Sequence, residues 1–158
     1  MDLASHLDQQ ITGTGSITAQ RPDGSRAEAE VLAAGPVGVR LRRLRVEHAT
    51  PRDVAAEADR LPEALAGLVP VVPLEVAPAL GGAVLRTPRE QVREGRYFEV
   101  QLAPGAVEIT RHRATAEGRA TESWDLTREQ LRALVEGIEA APSPAAHPAA
   151  PAPPLRDP

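Results

Sequence analysis

The chain of 158 residues has no cysteine, no lysine and no asparagine, and only three aromatic residues, Tyr97, Phe98 and Trp124. Without cysteine there is no disulfide, no thiol nucleophile and no thiolate metal centre. All 18 cationic side chains are arginine. With so few aromatics the chain lacks the stacking ladder of a single-strand nucleic-acid binder. Large aliphatic residues are also sparse. Ile, Leu, Val and Phe number 35, while alanine alone contributes 28. That is just above the level at which a highly charged chain stays disordered, and the net charge is only −4. A folded domain with a thin aliphatic core is expected. The Ala, Arg and Pro bias without Lys or Asn points to a GC-rich bacterial genome.

No uninterrupted apolar run is long enough for a membrane helix. Ala64 to Leu85 carries a single charge, Glu75, but Pro70, Pro73 and Pro78 break it. A spanning helix must satisfy its own backbone, which these prolines prevent. Buried strand and loop are expected there. The opening residues, Met1 to Asp8, lack a basic segment followed by an apolar one, so no secretory signal is read and a cytoplasmic location is expected.

Proline instead marks the end of the chain. Seven of the 16 prolines lie between Pro142 and Pro158. Residues 141–158 therefore read as a disordered Pro/Ala-rich tail, and the Pro151-x-x-Pro154-x-Arg156 spacing within it as linker rather than ligand. Residues 1–8 are expected to be flexible. Residues 9–140 are expected to form one domain.

Within that domain, Pro22-Asp23-Gly24 is a turn. Pro36-Val37 as a two-residue loop sets Ala34 against Val39, Leu32 against Leu41, Glu30 against Arg43 and Glu28 against Arg45. Thr50-Pro51-Arg52-Asp53 reads as a helix start with Thr50 as the cap. Val54, Ala58, Leu61, Leu65 and Leu68 follow as one stripe, and Pro62 should kink or break the helix near its middle. Thr87-Pro88-Arg89-Glu90 could open a short helix closed by Gly95. Pro104-Gly105 as a hairpin turn sets Leu102 against Val107, Val100 against Ile109 and Phe98 against Arg111. A third strand, Ala120 to Leu126, pairs Arg111 with Glu122, Ile109 with Trp124 and Val107 with Leu126. Thr127 and Gln130 form a capping box for a last helix with the stripe Leu131, Leu134, Val135 and Ile138. Arg132 and Glu136 are expected to pair on its wet side.

The expected fold is α+β: a two-layer sandwich of antiparallel β meanders with two main helices, in the order βββα, a proline-broken middle, then βββα. This layout resembles small bacterial secretion-chaperone-like α+β folds. No motif carries the likeness, so no site residue is taken from it.

Candidate chemistry is thin. Thr12-Gly13-Thr14-Gly15-Ser16 lacks the third glycine and the strand–helix setting of a phosphate loop. Ser123, His112 and Asp125 fall on one outer sheet face. Ser123 is mid-strand without oxyanion donors, and a solvated polar face is the expected reading. His6, His48, His112 and His147 are scattered, and no metal or cofactor is expected. Of the arginines, Arg40 and Arg42 have no acidic partner in this register.

The expected function is a non-catalytic bacterial protein-interaction domain, adaptor or chaperone-like, whose partner is another protein. Its contact candidates are Tyr97, Glu99 and His112 on the sheet face, Arg40 and Arg42, and the apolar segment 69–85. The alternative is a small-molecule binder or enzyme with a pocket between sheet and helices. Nucleic-acid binding through Arg40 and Arg42 ranks third.

Overall fold

The computed structural model describes residues 1–141. The elements run α1 (Leu3–Gln10), β1 (Gly15–Gln20), β2 (Arg26–Ala34), β3 (Gly38–Glu47), α2 (Val54–Ala64), β4 (Val72–Ala77), β5 (Gly82–Arg86), β6 (Arg96–Ala103), β7 (Ala106–Thr115), β8 (Gly118–Glu122), β9 (Trp124–Thr127) and α3 (Arg128–Glu139). All nine strands join one antiparallel sheet, β1-β2-β3-β7-β6-β5-β4, with β8 on β7 and β9 on β3. The fold is α+β, with three helices against the two expected. Among the described residues, no helix is long and apolar enough to cross a membrane. The expected tail lies outside the described residues.

The additional helix is α1, in the segment expected to be loose. Asp2 caps it by accepting the Ser5 N–H at 2.7 Å. Leu3, Leu7 and Ile11 are spaced for one face and are fully buried. The helix rests on β1 and β2, where three of the four buried side chains are alanines, Ala19, Ala27 and Ala29. Those small side chains let it lie close, so alanine that looked like weak core serves tight layering. Its C-terminal end is tied down by Arg128, which donates to the carbonyls of Asp8, Ile11 and Gly35 at 2.8–3.0 Å.

The hairpin registers largely follow the sequence. Ala34 faces Val39, Glu30 faces Arg43 and Glu28 faces Arg45. Leu32 does not face Leu41. The ladder slips around Val31, which takes the position opposite Leu41, and Leu32 is left exposed. Pairings of β6 with β7 are as expected throughout. The turn at Asp23-Gly24 closes with Gly24 at φ +98° and the Asp23 carboxylate accepting the Ser25 N–H.

The third C-terminal strand departs from expectation. Arg111 does face Glu122, but the chain then breaks at Ser123 and β9 crosses to β3. Trp124 faces Leu41 and Leu126 faces Val39, while Ile109 and Val107 face Leu44 and Val46 of β3. One bent segment therefore leaves β7 and lines β3. Strands β3 and β7 pair over Arg43–Glu47 and Ala106–Thr110, then part like the arms of a Y. Strand β8 runs into the fork along β7, and β9 runs out of it along β3. This arrangement fuses the two meanders into one sheet.

Two helix starts also differ. Asp53, not Thr50, caps α2, accepting the Ala56 N–H at 3.0 Å. A carboxylate is the better cap, and the shift leaves Arg52 outside the helix. Pro62 sits in the last turn of α2, which ends at Ala64 without a mid-helix break. Thr87 caps no α-helix; its hydroxyl accepts the Phe98 N–H at 2.8 Å, and only a 3-10 turn, Arg89–Gln91, follows. The Thr127–Gln130 capping box of α3 forms as expected. Arg132 pairs with Asp8 of α1 at 2.8 Å rather than with Glu136.

The core lies between the sheet and the three helices and runs unbroken from Leu3 to Ile138. Among the described residues, the other sheet face carries no helix.

Candidate functional site

Three regions stand out on this frame: the helix-free sheet face, the β4 edge and the fork.

On the helix-free face, alternation places Tyr97, Glu99 and Gln101 of β6 beside Thr110 and His112 of β7. The sequence places all of these on this face. It does not show that Glu99 is 2% exposed. Glu99 Oε2 accepts from Arg86 Nε at 2.8 Å and from an Arg119 guanidinium nitrogen at 3.0 Å, while its Oε1 accepts from Gln101 at 3.1 Å. Burial works against ionisation of Glu99, but the bonds from Arg119, Arg86 and Gln101 outweigh it and hold its carboxyl below the usual value. His112 is 7% exposed and its Nε2 lies 2.9 Å from Thr110 Oγ1. Burial, then the charge of Arg119, pushes its pKa down, which favours the neutral ring. Tyr97 leans on His112, with ring centroids 5.6 Å apart, and Arg86 lies over the Tyr97 ring at 5.5 Å. In this cluster the carboxylate is held by two arginines, while the imidazole keeps its Nδ1 buried without a partner.

Among the described residues, Ser123, His112 and Asp125 share no hydrogen bond: His112 meets Thr110 and Asp125 meets Arg40. Thr121 faces His112, as the Arg111–Glu122 register requires. Ser123 marks the bend between β8 and β9, and Asp125 binds Arg40. Among the described residues, no group of three or more His, Asp or Glu side chains is placed to hold a metal ion.

Strand β4 closes one edge of the sheet. Val72, Leu74 and Val76 are exposed along it, Leu74 at 59%, and Leu80 in the 3-10 turn beyond is 86% exposed. The register slips at Leu74, and Pro73 cannot donate a backbone hydrogen bond. Ala64 to Leu85 was expected to hold buried strand and loop, and 69–85 within it to offer a contact surface. Val69, Val71, Ala83 and Leu85 are buried, but β4 itself is open.

The fork holds a polar cleft of about 480 Å³, lined from both arms of the sheet. Arg40 and Arg42 reach it, and neither is free. Arg40 makes a two-pronged contact with Asp125 at 2.8 and 3.3 Å, and Arg42 lies 3.8 Å from Glu30. Sequence pairing missed the first contact because Asp125 arrives on β9, which sequence reasoning had placed against β7.

A buried cluster at the end of α3 also escaped sequence reasoning. Arg52 donates to the carbonyls of Ile138, Glu139 and Ala140, and Arg60 to those of Gly137 and Ile138. Both arginines also bind the buried Glu57. Cations at the exposed carbonyl end of a helix are favourable. The signal in the sequence was only that no basic residue stands in the last turn of α3. His48 lies 4.0 Å from Glu57, is nearly fully buried, and its Nε2 has no partner. Burial and the neighbouring Arg52 push its pKa down to about 4.

No protein-family model matches the chain, and neither the curated proteins nor the solved structures include a significant match.

Proposed function

We propose that the chain is a non-catalytic, cytoplasmic bacterial protein-interaction domain, adaptor or chaperone-like, that takes its partner along the β4 edge. The carrying observation is the exposed aliphatic row Val72, Leu74, Val76 and Leu80 on and beside an edge strand. An edge strand presents unpaired backbone groups, and natural proteins usually guard it with charge. Here the strand carries one charge, Glu75, against three exposed aliphatic side chains. Exposed apolar clusters of this kind mark contact sites, and an added partner strand would find both backbone groups and side-chain anchors. Pro73 and the slip at Leu74 restrict which part of the strand can pair, so side-chain docking by Leu74 and Leu80 carries much of the contact.

The catalytic alternative draws less support. Its residues are dispersed, with Glu99 clamped by Arg86 and Arg119 and Ser123 in the fork cleft, whose lining does not include His112. Nucleic-acid binding through Arg40 and Arg42 is weakened because both side chains face carboxylates. The sheet-face cluster of Tyr97, Glu99 and His112 is read as support for the frame rather than as the contact.

The test is affinity capture from the native host with the wild-type chain and with Leu74→Asp/Leu80→Asp. Both positions are solvated, so the double variant should fold. A stoichiometric protein partner is expected with the wild type and should be lost with the variant. Absence of a partner, or equal capture by both chains, would sink the reading.

A further inference from the structure

We propose that the fork cleft binds a small molecule carrying an oxyanion, a phosphate or carboxylate group, with Arg111 as the central contact. The cleft is bounded by β3 and β9 on one side and by β6, β7 and β8 on the other, and its volume of about 480 Å³ is that of a small-ligand site. Four arginines line it, Arg40, Arg42, Arg96 and Arg111, against two carboxylates, Glu122 and Asp125.

Three of those arginines are engaged. Arg40 is held by Asp125, Arg42 by Glu30, and Arg96 by Glu122 and Glu94. Arg111 is different. It faces Glu122 across the ladder, but that carboxylate is taken by Arg96 at 2.8 Å and Arg113 at 3.1 Å. Among the described residues Arg111 has no ion pair or side-chain hydrogen bond, and its Nε is buried without a partner. The Phe98 ring supports its guanidinium at 5.5 Å, which leaves the in-plane N–H donors uncommitted.

A second buried donor, Trp124 Nε1, is also unpartnered and belongs to the same wall. Buried polar groups are almost always satisfied, so two orphaned N–H donors in one cationic cleft call for an acceptor. Thr121 and Ser123 add hydroxyls to the lining. A planar guanidinium matches a carboxylate or phosphate with paired hydrogen bonds, and the surplus of cations supplies the charge.

Trp124 is the sole tryptophan of the chain, so its fluorescence reports the cleft directly. The experiment titrates the full chain with inorganic phosphate and, separately, with succinate, at constant ionic strength set by sodium chloride. A saturable change in emission with either anion is expected, and which anion works identifies the group. Arg111→Gln should weaken that binding at least tenfold. Arg42→Gln, at a half-exposed position that should leave folding intact, should weaken it several-fold. Arg89→Gln, on the exposed 3-10 turn, should bind as the wild type does. Far-UV circular dichroism checks that each variant is folded, and Arg42→Gln decides the matter if Arg111→Gln is not. The proposal is overturned if neither anion gives a saturable change or if sodium chloride alone reproduces it. Unchanged binding in the folded Arg111→Gln and Arg42→Gln variants overturns it too. A single-stranded oligonucleotide that outcompetes phosphate with a steep salt dependence would replace it with a nucleic-acid site.

Discussion

Glu57 and Glu99 are both buried carboxylates, and each is held by a pair of arginines. For Glu57, burial opposes ionisation, and the bonds and charges of Arg60 and Arg52 overcome it, so its pKa is lowered. Its contribution to stability is present above the ordinary carboxylate range and is lost as pH falls through the lowered value. His48 lies beside it, 4.0 Å away. Its folded pKa of about 4 lies below the unfolded value of 6.5, so between those limits the unfolded chain binds more protons. Stability should therefore fall as pH drops from 6.5 toward 4, by at most about 3 kcal/mol from this group. His112 shifts the same way. Urea denaturation at pH 7 and pH 5 measures the loss. His48→Leu should retain stability at pH 7 and show a shallower decline at pH 5; an unchanged decline would remove His48 as the cause. At this scale the sequence indicated that Glu99 and His112 share a face, because alternation in a well-defined hairpin requires it. It could not indicate that Glu99 is buried, since Arg119 arrives from β8, beyond the expected hairpin.

Elements whose ends are set by local hydrogen bonds were the most legible. The Thr127–Gln130 box, the turn at Asp23-Gly24 and the β6–β7 hairpin each need only a few neighbouring residues. Thr127→Ala removes the acceptor of the Gln130 N–H, bonded at 3.0 Å, and should cost about 1 kcal/mol in denaturant melts. Thr127→Ser should recover most of it. Where two caps competed, at Thr50 and Asp53, local pattern was not enough. Asp53 won, and Arg52 thereby stayed in extended chain, where its backbone N–H meets the Pro104 carbonyl and its side chain reaches α3. The slip that exposes Leu32 is a property of the β2–β3 ladder and has no marker in composition. The openness of β4 was equally invisible: whether an apolar strand is buried or lies at an edge depends on what packs beside it.

For the molecule as a whole, α1 decides how the core closes. Leu7 is fully buried where α1 lies on the sheet and beside α3. Leu7→Ala should destabilise the domain by about 2–5 kcal/mol in equilibrium unfolding. A loose N-terminus would instead predict no measurable change. Composition and period were sufficient to determine an α+β domain with a thin, alanine-rich core, its hairpins and its last helix, because those depend on spacings of a few residues. Only the tertiary structure decided the docking of α1, the crossing of β9 to β3, the pairing of Arg40 with Asp125 and the fork that leaves Arg111 unmatched. The last three each join residues more than 40 positions apart, as does the contact of α1 with α3, and no local period encodes which distant strand or carboxylate will be the neighbour.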